Sequence, residues 1–166
     1  MPTFTLPVIG SFELQPDVDE VFDAALDLRG RRVSLDINVY GAVTQRLLDG
    51  VAGFVGNLAD FDQSARDFLR YDFEQNNESS VRLYIELHLG TPAPNDVRAF
   101  LGVATSQTVD ANLFLSKMYL CRVGLYPGNQ NECALFDYTV GERLTQYVIV
   151  VRFDSEGVIL GAEMES

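Results

Sequence analysis

The sequence predicts an α+β fold: an antiparallel sheet built from hairpins in the N- and C-terminal parts of the chain, with a helical middle packed on one face. Three observations predict it. Apolar and polar residues alternate on both sides of a tight turn near the start, and again near the end. Between these regions the period lengthens to that of a helix, and Gly, Pro and Asn mark the changes. Residues 1–166 are expected to form a single globular domain, since a chain of this size buries roughly 70% of the surface its unfolded form exposes.

The opening stretch TFTLPVIGSFEL is expected to add edge strands, with Pro7 tolerable only at an edge or a bend. Next, RGRR (Arg29 to Arg32) separates VFDAALDL from VSLDINVY. Pairing outward from a four-residue turn sets Leu28 against Val33, Leu26 against Leu35, Ala24 against Ile37 and Phe22 against Val39 on one apolar face. The opposite face then carries Asp27 with Ser34, Ala25 with Asp36 and Asp23 with Asn38, the pattern of a sheet wetted on one side.

In the middle, Val43, Leu47, Val51, Phe54, Val55 and Leu58 form one helical stripe. Phe61, Ala65, Phe68, Leu69 and Phe73 form a second, with Asp60 or Asp62 suited to cap its start. Residues 79–89 admit two readings. Val81, Leu83, Ile85, Leu87 and Leu89 alternate as in a strand, while Leu, Glu and Arg favour a helix, which the helical surroundings support. After PAPND (Pro92 to Asp96), Val97, Phe100 and Leu101 indicate a short helix capped by Asn95, and a further helical turn is expected from Asp110 to Ser116.

The C-terminal third reads as two hairpins. Around PGNQNE (Pro127 to Glu132), symmetric closure sets Val123 against Phe136, Cys121 against Tyr138 and Tyr119 against Val140, with Arg122 opposite Asp137. The turn DSEG (Asp154 to Gly157) suits a type I turn or its bulged variant. Its register sets Phe153 against Val158, Val151 against Leu160, Ile149 against Ala162 and Tyr147 against Met164, leaving Arg152, Gly161 and Glu163 on the other face.

Charge narrows the function. Twelve bases against 24 acids give a net charge of −12, and the sequence contains no basic run that would release counterions from a phosphate backbone, so no nucleic-acid partner is expected. Eleven of the bases are Arg, and Lys117 is the only Lys. The first base is Arg29, which leaves the N-terminus without the charged region of a secretory signal. No apolar run approaches the ~18 residues of a membrane span, so no membrane association is expected. The expected location is the cytoplasm, where Cys121 and Cys133 act as small buried hydrophobes.

Motifs of catalysis are sparse. The single His88 and two distant Cys do not supply a zinc site, and neither metal nor other cofactor is expected. DFDQS (Asp60 to Ser64) begins like a calcium loop, but Ala65 stands where that loop turns on Gly and Tyr71 where it needs Glu. GVAGFVGN carries Gly50, Gly53 and Gly56 without the Lys-Ser/Thr of a phosphate loop. At helical spacing those glycines are expected to line one side and permit close packing.

Two readings of function stay open. Asp23, Asp27 and Asp36 share the polar face of the first hairpin, and residues 1–28 hold six acids and no base. This favours a small acidic, non-catalytic interaction protein, of an inhibitor or immunity-like kind, that covers a basic protein partner. The alternative is an enzyme whose carboxylate, Tyr and His residues converge only in the fold, with Asp137, Tyr138 and His88 as candidates. Self-association through an exposed sheet edge is a further expectation.

The stretch FDYTVGERLTQYVIVVRFDSEGVILGAEMES resembles the C-terminal part of the bacterial family called domain of unknown function 2004. The resemblance rests on Phe136-Asp137-Tyr138, the apolar strand Tyr147 to Phe153, the acidic turn Asp154 to Gly157 and the terminal Met164-Glu165-Ser166. It implies a bacterial protein and assigns no catalytic residue.

Overall fold

The computed structural model describes residues 3–6, 8–15, 18–90, 94–104 and 109–166. The elements in chain order are β1 (Thr3–Leu6), β2 (Gly10–Glu13), β3 (Glu20–Leu28), β4 (Arg31–Val39), α1 (Gln45–Gly56), α2 (Leu58–Gln75), α3 (Ser80–Leu89), α4 (Asn95–Leu101), α5 (Ala111–Lys117), β5 (Tyr119–Leu125), β6 (Ala134–Thr139), β7 (Val148–Phe153) and β8 (Ile159–Glu165). The fold is α+β. Strands β3 to β8 form a six-stranded sheet in sequential order. Every neighbouring pair is antiparallel except β4 and β5, which run parallel. A parallel pair needs a long crossover, and residues 40–118, with all five helices, supply it.

Among the described residues β1 and β2 pair only with each other, so they form a separate two-stranded sheet and do not extend the main one. The reason is side-chain burial: Phe4 and Leu6 enter the core beside α1, and Phe12 stacks its ring 4.4 Å from that of Phe22. Pro7 lies outside the described residues.

The first hairpin turns on two residues rather than four. Arg29 and Gly30 both have positive φ, 54° and 81°, the type I′ geometry whose twist matches the flanking strands. Asp27 Oδ1 accepts the Gly30 N–H at 3.1 Å. The register therefore slides by two residues: Leu26 faces Val33, Ala24 faces Leu35 and Phe22 faces Ile37. Because strand side chains repeat every second residue, such a slide changes partners and preserves both faces. Val33, Leu35, Ile37 and Val39 are all buried.

The β5–β6 hairpin keeps part of its expected register, whereas the β7–β8 hairpin keeps none of its expected pairs. Val123 faces Phe136 and Arg122 faces Asp137. A bulge at Cys121 then leaves Leu120, not Cys121, opposite Tyr138, and sets Tyr119 opposite Thr139. The extra residue moves Leu120 into the core, where it is 1% exposed, while Cys121 is only half-buried. In the last hairpin Phe153 faces Ile159, Val151 faces Ala162 and Ile149 faces Met164. Val158 and Leu160 are exposed and do not join the apolar face as expected. A bulged turn causes this: Gly157 sits at φ 80°, and Asp154 Oδ1 takes the N–H groups of Glu156 and Val158.

The helices cover one face of the sheet. In α1, capped by Thr44, the buried stripe is Leu48, Val51 and Phe54. Leu47 is exposed, and a Cβ at Gly50, Gly53 or Gly56 would meet no atom within 4 Å, so these glycines do not mediate close packing. α2 starts at Leu58, after Asn57, so Asp60 lies in its first turn and Asp62 inside the helix; neither caps it. Residues 80–89 are helical, capped by the Ser79 hydroxyl, which accepts the Arg82 N–H. In α4 the capping position is Pro94 and Asn95 is already helical. Asp110 caps α5 through the Asn112 N–H.

The core is aromatic at its centre. Phe54, Phe61, Phe136 and Phe153 bring α1, α2, β6 and β7 together, with ring centroids 4.6 to 6.5 Å apart in every pairing. α3 lies against β7 and β8, and the Tyr84 hydroxyl donates to the Tyr147 carbonyl at 3.3 Å.

Candidate functional sites

The face of the sheet away from the helices carries the carboxylates singled out in the sequence. Asp23, Asp27 and Asp36 all project from it, and the structure sets Asp23 directly opposite Asp36. Like charges so placed repel. Arg122, on the other side of Asp36, relieves the repulsion: Nε reaches Asp36 Oδ1 at 2.6 Å and Nη2 reaches Oδ2 at 2.8 Å, the bidentate fork of a guanidinium on a carboxylate. Asn38 Nδ2 donates to the same Oδ2 at 2.6 Å. Asp36 is thus committed within the sheet, while Asp23 and Asp27 are exposed.

Arg122 also donates through Nη1 to Asp137 Oδ2 at 3.1 Å and through Nη2 to the Tyr126 hydroxyl at 3.3 Å. Burial pushes the Asp137 carboxyl up, and the Arg122 charge opposes that rise. The neighbouring Cys121 thiol donates to the Asp137 carbonyl at 3.2 Å. Burial and the Asp137 charge push that thiol up to about 11, so it stays protonated and a poor nucleophile at neutral pH. Cys133 is buried, also raised by burial, and both cysteines are free.

The Arg122 guanidinium lies across Gly124, where a Cβ would stand 2.8 Å from Nη2 and 3.2 Å from the Tyr126 ring. With both carboxylates holding it, the guanidinium cannot swing aside freely. Gly124→Ala is expected to cost about 2 kcal/mol through overpacking. A urea midpoint equal to that of the parent would show that the ion-pair group yields.

The residues considered for catalysis do not converge. Asp137 faces away from the helices, paired with Arg122. Tyr138 points into the core and donates to Asp62 Oδ1 at 2.8 Å. His88 is buried on α3, with Nδ1 2.6 Å from the Tyr84 carbonyl and its ring packed near those of Tyr84 and Phe114. The three cavities described here are lined by none of these three side chains. Among the described residues no group of three or more His, Cys, Asp or Glu could hold a metal ion, and no helix is long and apolar enough to cross a membrane.

One arrangement is absent from any local stretch of sequence. Asp62, fully buried on α2, receives Arg66 Nε at 3.2 and 3.0 Å on its two oxygens. Arg29 Nη1, from the first hairpin turn, stands 3.6 Å from the same Oδ2. Arg66 Nη1 also donates to the Met118 carbonyl at 3.0 Å. Burial and the Asp62 charge hold the Tyr138 phenol well above its ordinary value, so it acts as a neutral donor. Beside this group lies a cavity of about 250 Å³, lined by Arg29, Arg31, Arg66 and Lys117 among others. Four of the twelve bases thus meet at one place, although they are spread from residue 29 to residue 117.

The fold and these sites define a two-layer α+β protein with one sheet face left to solvent. Compared with family models, curated proteins and solved structures, the chain matches none.

Proposed function

We propose that this is a non-catalytic interaction protein, of an inhibitor or immunity-like kind, that receives a basic protein on its open sheet face. The observation that carries the proposal is the charge of that face. Strand alternation places Asp23, Asp27, Asp36, Asp137, Glu163 and Glu165 on it against Arg32, Arg122 and Arg152. Arg122 is held by Asp36 and Asp137, and Arg152 by Glu132 and Glu163, so two of the three cations are already engaged, and six acids against three bases leave a negative surplus. Such a face steers a basic partner and opposes an acidic one. β3 and β8, the two edges, carry Asp23, Asp27, Glu163 and Glu165 as well, and charged side chains on an edge oppose strand-to-strand association. The cytoplasm is part of the same proposal. The C-terminal likeness to domain of unknown function 2004 supplies no activity, so the reading stands on the sheet face alone.

Asp23 and Asp27 are the side chains to change, because Asp36 is structural. Immobilised parent protein is expected to retain basic proteins from a cell extract at low salt, and Asp23→Asn/Asp27→Asn to lose them while folding normally. Equal retention by both proteins would remove the proposed face.

A further inference from the structure

We infer that the cavity between the first hairpin turn, α2 and the α5–β5 junction is a binding site for a small phosphate-class anion. Arg29, Arg31, Arg66 and Lys117 line its wall, and among the described residues Asp62 is the only carboxylate there. Two guanidinium groups, from Arg29 and Arg66, approach the same Asp62 oxygen. One carboxylate cannot neutralise both, and Arg31 and Lys117 add two further positive charges. The surplus is therefore three positive charges in a protein whose net charge is −12.

Geometry favours a ligand over a purely structural role. Asp62 is already satisfied by Arg66 and Tyr138, so Arg29 is not needed to pair it. Arg29 instead occupies the first position of a type I′ turn at φ 54°, where Asn or Gly would sit without strain. Arg31 lies 3.8 Å over the Tyr119 ring. Stacking by its flat face leaves the N–H edge of a guanidinium able to donate to phosphate oxygens. The cavity volume, about 250 Å³, suits a phosphate or a compact phosphomonoester better than an extended chain. Carboxylates of the open sheet face act over longer distances, where screening with a length of about 8 Å weakens them.

Arg31 and Tyr119 also line a larger neighbouring cavity of about 930 Å³. A phosphomonoester with an organic group could use both spaces, whereas free phosphate would use only the first. Titration calorimetry of the full chain with inorganic phosphate and with phenyl phosphate, in chloride buffer at constant ionic strength, distinguishes them. Saturable binding of either one is expected, tighter for phenyl phosphate if the natural ligand is an ester and equal if it is the free ion.

Arg31→Gln and Lys117→Gln are each expected to weaken binding about tenfold, the equivalent of about 1.4 kcal/mol. Arg29→Asn should weaken binding while leaving the urea midpoint unchanged or higher, which an arginine kept for stability would not do. Arg46→Gln, with the same loss of charge on α1, should bind like the parent. Absence of saturable heat with both ligands up to about 10 mM, or equal affinity in the cavity variants and Arg46→Gln, would overturn the assignment.

Discussion

Phe153→Ala is expected to lower the stability of the protein by about 4 kcal/mol. Phe153 is fully buried and touches each of the other three rings of the central group, at centroid distances of 4.8 Å from Phe136, 5.6 Å from Phe61 and 5.9 Å from Phe54. Truncation removes the transfer free energy of the ring and leaves a void that two helices and a sheet cannot easily close. Off-centre and edge-to-face ring pairs add further stabilisation beyond area. Urea unfolding of the variant beside Leu87→Ala provides the measurement. Leu87 is exposed on α3, and a substitution there is expected to change stability by no more than about 0.5 kcal/mol. Similar losses in the two variants would mean that the ring group does not anchor the two layers.

Arg66→Met is expected to cost about 3 kcal/mol, for a different reason. The methionine keeps much of the volume, but Asp62, with no exposed surface, loses its closest cation. Tyr138 offers one hydrogen bond, and Arg29 stands farther away at 3.6 Å with a largely exposed side chain. A buried carboxylate so deprived costs more than the intact pair contributes, since its desolvation is no longer offset. Asp62→Leu/Arg66→Met should accordingly be more stable than Arg66→Met alone. If the double variant is as unstable as the single one, the loss comes from Arg66 packing and its bond to the Met118 carbonyl.

These two sites differ in how readable they were from the chain. The faces of Phe136 and Phe153 follow from period-two alternation, and the stripe containing Phe61 from the helical period. Partners were less legible than faces. The first hairpin slides by two residues because Arg29 takes a left-handed conformation, which an arginine rarely adopts and its identity does not advertise. The bulges at Cys121 and near Leu160 each add a residue on one strand, and nothing in the local alternation distinguishes a bulge from a continuous strand.

The polar sites divide in the same way. Asp23, Asp27 and Asp36 were visible as one face because they belong to one hairpin, and Arg122 opposite Asp137 because they belong to another. The bidentate bond from Arg122 to Asp36 spans the two hairpins and required the parallel pairing of β4 with β5. Asp62 read as a possible helix cap from its position before an apolar stripe; its burial depends on Arg66 and on Tyr138, far along the chain. The basic cavity was hidden for a related reason. Two of its cations, Arg29 and Arg31, come from RGRR, but Arg66 comes from the middle of a helix and Lys117 from the end of another, so no window of sequence contains all four.

The parallel seam between β4 and β5 also bears on how freely the molecule could change in size. Everything between these neighbouring strands, residues 40–118, is one excursion that leaves the sheet and returns to the adjacent position. The entropy of closing such an excursion grows only logarithmically, by about 0.6 kcal/mol for each doubling of its length. The sheet thus sets where the excursion must start and end while placing little constraint on how long it is. Helical material can be gained or lost there without disturbing strand order, provided Phe54, Phe61 and Asp62 still reach their places beneath it.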